Sequence, residues 1–82
     1  MELSLANNIR TFRKQRHLTQ EQLAEVFGVT TGAVHKWESG ISFPELSLIV
    51  EMADFFDTSV DALLGNRIKD KREDTVIRRL NE

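Results

Sequence analysis

The run Leu18-Thr19-Gln20-Glu21-Gln22-Leu23-Ala24-Glu25-Val26-Phe27-Gly28-Val29-Thr30-Thr31-Gly32-Ala33-Val34-His35-Lys36-Trp37-Glu38-Ser39-Gly40 decides the fold. Thr19 and Gln22 have capping-box spacing: the Thr19 hydroxyl can accept from the Gln22 backbone N–H while the Gln22 side chain reaches back. A helix is therefore predicted to begin at Gln20, with Leu23, Ala24 and Phe27 as its apolar stripe. Gly28 can take the left-handed conformation that closes a helix. Only Val29 intervenes before Thr30, which can cap another helix over Thr31 to Ser39, stopped by Gly40. Two short helices joined by so tight a turn cross at a steep angle.

Upstream, Leu5, Ile9 and Phe12 recur at i, i+4 and i+7, which predicts a first helix from about Leu5 to Arg16. Asn8, Arg13 and Lys14 lie elsewhere on it, so its polar face is basic, and His17 follows at the end that favours positive charge. Downstream, Pro44 suits the start of a fourth helix with Leu46, Ile49, Met52, Ala53 and Phe56 at helical spacing. Ser59 can cap a short fifth helix with Val60, Leu63 and Leu64 inward and Gly65 at its end. No segment of strict apolar alternation suggests a strand. The expectation is an all-α, compact five-helix domain over residues 1–65, its central motif at about 20–39, followed by a charged tail, 66–82. In that tail Thr75-Val76-Ile77-Arg78-Arg79-Leu80 has the pattern of two amphipathic turns, and the segment reads as a solvated tail, a packing helix or a linker.

With 82 residues, 40% of them hydrophobic, the chain is one domain near the lower limit for folding without staples. It contains no cysteine and two isolated histidines, which leaves no disulfide, no thiol nucleophile and no zinc-binding cluster. No metal and no cofactor are expected. The longest central apolar run, Leu48-Ile49-Val50, falls far short of the roughly 18 residues a membrane span needs. A basic-then-apolar N-terminal signal is missing too, so the expected protein is soluble and cytoplasmic, away from membranes. Without a paired-carboxylate or nucleophile constellation or a glycine-rich phosphate loop, no enzyme is expected.

The net charge of −2 hides a strong asymmetry. Residues 1–40 carry five basic and four acidic side chains, +1; residues 41–65 carry five acids and no base, −5; residues 66–82 carry six basic and four acidic, +2. An acidic total weakens long-range attraction to phosphate without preventing a locally basic face. The fourth and fifth helices, being acidic, cannot face DNA, and are left as core cover, dimer surface or a site for a partner protein.

A steeply crossed helix pair of this kind can present its second helix to a DNA major groove. The residues also carry a resemblance. Leu18 to Ala24, Phe27-Gly28-Val29-Thr30 and Val34 to Gly40, with Arg10 upstream and Pro44-Glu45-Leu46 and Ser59 to Leu64 downstream, resemble the Cro and phage-repressor family of helix-turn-helix regulators, the XRE type. The likeness covers roughly Leu5 to Gly65. It implies a lambda-repressor-like fold and a sequence-specific transcriptional regulator that binds double-stranded DNA, a palindromic operator, as a homodimer. It further implies that Gln20 and Thr30 hold phosphates, that Thr31, Gly32 and Lys36 face base edges with His35 nearby, and that Arg10 and Glu38 form a buried ion pair. Two positions depart from the pattern: Gly32 lacks a side chain for direct readout, and Ser42-Phe43 lacks the basic residue often found in that loop.

Gln20 and Thr30 lie at helix N-termini, where free N–H groups and the dipole favour a phosphate, and plain capping is a role they can combine with it. Lys36 points outward, to a base or to a phosphate; His35 reads equally as an incidental surface histidine. Trp37 is expected in the core against Val34 and the fourth helix. Arg13, Lys14 and Arg16 are either a solubilising face or contacts to flanking phosphates, with Arg13 and Lys14 the candidates. The fifth helix with Phe55 and Leu64, joined by Val76, Ile77 and Leu80, is the expected dimer surface. A protein-interaction module of the same fold, an antitoxin or adaptor using the acidic face, is the competing function.

Overall fold

Five helices follow the punctuation of the sequence in the computed structural model, which describes residues 4–65: α1 (Leu5–Gln15), α2 (Gln20–Phe27), α3 (Thr31–Ser39), α4 (Leu46–Phe55) and α5 (Val60–Leu64). Both halves of the capping box form at the start of α2: the Gln22 N–H donates to Thr19 Oγ1 at 3.0 Å and the Thr19 N–H to Gln22 Oε1 at 2.9 Å. Thr30 and Ser59 likewise accept from the backbone N–H of Ala33 and Ala62. Gly28 and Gly40 are left-handed, at φ 66° and 76°. The end of α1 lacks a glycine, and His17 takes the left-handed position instead, at φ 57°. The Leu18 N–H reaches back to the Arg13 carbonyl across it, the closing bond that this conformation allows. Arg16 is thus the cap of α1 and not its last helical residue.

All five helices contribute to one core: Leu5 and Ile9, Leu23 and Ala24, Val34 and Trp37, Met52 and Ala53 with the following Phe56, and Leu63. Ile9, Leu23, Val34, Met52 and Leu63 are fully enclosed, each such burial stabilising the fold by about 1.5–3 kcal/mol. Phe12 stacks on Phe56 at 5.4 Å, and Phe55 meets Phe27 edge-on at 5.6 Å. The ends of the domain are stitched together by Asn8, whose amide donates to the Ala62 and Leu63 carbonyls at the end of α5. The Ser4 N–H donates to the Leu64 carbonyl in the same place.

One expected core position is corrected. Leu46, grouped with Ile49, Met52, Ala53 and Phe56, is 73% exposed. Pro44 is buried where the chain enters α4, and Leu48 and Ile49 make the packing contacts, so the first turn of the helix holds Leu46 outside. Residues 66–82, with Val76, Ile77 and Leu80, lie outside the described residues.

Candidate nucleic-acid interface

The position of α3 is set by a charge. Val34 and Trp37 turn its apolar face inward, and Glu38, one turn beyond Val34, is carried into the interior with a side chain only 1% exposed. A buried carboxylate is tolerable only when its oxygens are bonded. Arg13 supplies two bonds, Nε to Oε2 at 2.7 Å and Nη2 to Oε1 at 3.0 Å; the Gln20 amide adds a third to Oε1 at 3.1 Å. Burial pushes the Glu38 carboxyl up, but the Arg13 and Gln20 bonds, with the charges of Arg13 and Arg10, outweigh it and hold Glu38 below the usual carboxylate range. The bond to Glu38 in turn pushes the Arg13 guanidinium up. Arg13 Nη1 donates to the Leu18 carbonyl at 2.8 Å, so α1, the turn after it, α2 and α3 all meet at this carboxylate.

Two expectations change here. The expected ion pair of Arg10 with Glu38 is present, Nε 3.7 Å from Oε1, but the Arg10 side chain is 47% exposed and its best bond is Nη2 to the Glu38 carbonyl at 3.1 Å. Arg10 therefore braces the end of α3, and the close ion-pair partner is Arg13. Arg13 was grouped with Lys14 as a phosphate contact, but all three of its guanidinium nitrogens are engaged inside the protein. The signal lay in the helix period: Arg13 completes Leu5, Ile9, Phe12 as i+8, on the buried face, whereas Arg10 follows Ile9 by one residue and is turned about 100° away. Gln20 was read from its position at a helix start, which gives no sign of the inward bond to Glu38.

The opposite side of α3 is open. Thr31, Gly32, His35 and Lys36 are all exposed, as are Thr30 ahead of them and Lys14 on α1. Thr30 Oγ1 accepts from Ala33 but keeps its O–H to give. Gln20 is half-buried and spends one amide N–H on Glu38, leaving the second. Gly32 is not required by the fold: its φ is not left-handed, and an added Cβ would meet nothing nearer than Thr30 Oγ1 at 3.9 Å. This face can donate to anions at two helix starts, offer the exposed Lys36 ammonium farther along α3, and let another molecule approach the backbone at Gly32.

The other surfaces differ in kind. Glu45, Glu51, Asp54, Asp57 and Asp61 are all exposed on or beside α4 and α5. Phe55 and Leu64, expected at a dimer surface, are half-buried against the core, with the Arg16 guanidinium 5.4 Å from the Phe55 ring centre. Among the described residues no three His, Cys, Asp or Glu side chains gather to hold a metal, and no helix is long and apolar enough to cross a membrane.

Comparison with known proteins places this geometry. A family model described as helix-turn-helix matches residues 9–63, from the middle of α1 to the end of α5. The HTH-type transcriptional activator BcrR of Enterococcus faecalis is 39% identical over 57 residues, 70% of this chain but 28% of BcrR. The cryptic phage CTXphi transcriptional repressor RstR of Vibrio cholerae is 28% identical over 76 residues, 93% of this chain and 68% of RstR. Among solved structures, a transcriptional regulator from Listeria innocua superposes with a TM-score of 0.76 at 25% identity, covering 95% of this chain and 78% of that one. With its helix pair α2–α3 at the centre of the matched region, the chain belongs to the XRE-type helix-turn-helix family.

Proposed function

We propose that this chain is a sequence-specific, DNA-binding regulator of transcription whose 1–65 unit lays α3 in the major groove. The observation that carries the reading is the division of α3 into a face locked by Glu38 and an open row, Thr31, Gly32, His35 and Lys36. Lys36 donates to guanine O6 or N7, Thr31 and His35 read neighbouring edges, and Gly32 lets the backbone come close. Gln20, with its remaining amide N–H, and Thr30, with its hydroxyl, hold phosphates that fix the register of α3, and Lys14 touches the flanking backbone. A helix of about two turns meets too few base pairs for useful selectivity. Two copies therefore bind half-sites of a palindromic operator about 34–36 Å apart.

Selecting bound duplexes from a random pool, followed by mobility shifts, tests this reading. The expected outcome is one enriched inverted repeat, bound more weakly as salt rises. The acidic surface of α4 and α5 favours a second reading, a protein-interaction module. On that reading the chain should not retard mixed-sequence DNA even at low salt.

A further inference from the structure

Helix α4 turns a partly apolar face to solvent: Leu46 is 73% and Val50 52% exposed, one turn apart, with the half-buried Ile49 beside them. Glu51 and Asp54, both exposed, follow on one flank of that face. Residues 41–65 hold five acids and no base, and among the described residues the ion pairs all run to Glu38. The face thus combines open apolar surface with uncompensated negative charge. We infer that it is the docking site of the chain's own segment Arg72-Glu73-Asp74-Thr75-Val76-Ile77-Arg78-Arg79-Leu80, an intramolecular contact that goes beyond the DNA-binding reading and does not depend on it.

Three observations favour this occupant. The first is pattern: at helical spacing Val76, Ile77 and Leu80 fall on one side, with Arg72 and Arg79 along its edge, so an apolar cluster with a basic margin meets an apolar cluster with an acidic one. A helix of this length is marginal alone, and its apolar side needs such a partner surface. The second is charge. Residues 66–82 carry +2 against −5 for residues 41–65, and opposite charges attract within a Debye length of about 10 Å. The third is reach. Gly65 closes α5, which packs on α4, and residues 66–71 can span roughly 20 Å, more than the length of α4, about 15 Å. A segment tethered so closely has an effective concentration of about millimolar, so it outcompetes a second copy or a foreign peptide in micromolar solution. Once docked, it covers the apolar patch and withholds Arg72 and Arg79 from other anions.

The chain has no cysteine, so a spin label can be placed at Ser47→Cys alone, on the exposed side of α4. In the full-length, isotope-labelled protein at micromolar concentration, the amide signals of residues 75–80 should lose most of their intensity. Much of it should return at about 1 M salt, where the screening length falls to about 3 Å. Adding Val50→Lys, or Leu80→Ser beyond α5, should restore the signals at low salt. Urea midpoints confirm that each variant folds, and Leu80→Ser keeps the test decisive where Val50→Lys does not fold. A mixture of spin-labelled chains without isotope and isotope-labelled chains without spin label should show no loss. Signal loss unchanged by either substitution would mean that the segment passes α4 without docking and would overturn the inference, as would full intensity in the singly labelled chain. Loss in the mixed sample would seat a second copy's segment on α4 and overturn it too.

Discussion

Arg13 grips Glu38 through two nitrogens of one guanidinium, at 2.7 and 3.0 Å, and spends the third on the Leu18 carbonyl. Apolar packing of Val34 and Trp37 brings α3 onto the core, but such contacts are non-directional. The forked charge pair adds direction: it fixes α3 in rotation against α1 and α2, and so fixes which residues of α3 face outward. Gln20, reaching the same carboxylate, links the start of α2 to that register.

The ordering of three variants follows. Glu38→Ala leaves two nitrogens of the largely buried Arg13 guanidinium and one Gln20 amide N–H without their acceptor and should cost about 3–5 kcal/mol. That is a large part of the stability of a domain of this size. Arg13→Ala should cost a similar amount, whereas Arg10→Ala, which removes a half-exposed group 3.7 Å from the carboxylate, should cost under about 1 kcal/mol. Urea unfolding at neutral pH measures all three. Equal losses for Arg10→Ala and Arg13→Ala would restore Arg10 as the principal partner.

The same pair predicts an acid limb. Because the folded protein holds Glu38 below its ordinary carboxylate range, its contribution is fully present above the unfolded value of about 4.3 and is lost as pH falls from there through the lower folded value. Glu38→Gln, which cannot ionise, should be less stable than wild type at neutral pH, with the gap closing as acid is added. Urea midpoints followed from neutral to acid pH check this, and a gap constant with pH would mean that Glu38 titrates normally.

Two glycines should respond in opposite directions. Gly32→Ala fits its site and removes the helix penalty of glycine, so it should raise stability by about 0.5–1 kcal/mol. On the DNA reading it should also weaken binding, since the added methyl stands where the groove comes close. Gly65, at φ 65°, would place a Cβ 2.9 Å from both Asn8 Nδ2 and Ser4 Cβ, and Gly65→Ala should destabilise by more than about 1 kcal/mol. Thermal unfolding and a mobility shift separate the two effects. A Gly32→Ala protein with unchanged affinity would argue against close approach of the backbone.

How much of this could be read in the sequence depended on range. The Thr19–Gln22 box, the Thr30 and Ser59 caps and the closing glycines each involve residues within a few positions of one another, and these local signals gave five helices with nearly their observed limits. The apolar period of α1 carries Arg13 eight residues after Leu5, at the edge of the buried face, yet its charge reads as part of the basic polar face and the family resemblance points to Arg10. Other features depend on which helices meet: the bond of Gln20 to Glu38, the Asn8 amide at the end of α5, and the exposure of Leu46. The last is instructive, because the helical period identifies a face but not where along it the neighbouring helix ends. The open row on α3 was legible because Val34 and Trp37 claim the other side.

The central claim is that α3 reads bases while the helix starts hold phosphates, and the most direct measurement compares Lys36→Ala with Gln20→Ala on the selected duplex and its single-base variants. Gln20→Ala also removes a bond to Glu38, so binding is measured where both proteins are fully folded. Lys36→Ala should lose about 1–3 kcal/mol on the preferred sequence and relax the choice at one base position per half-site, while Gln20→Ala should weaken every sequence about equally. A Lys36→Ala protein whose affinity fell by one common factor on all the duplexes would contradict the account, because that pattern belongs to a phosphate contact.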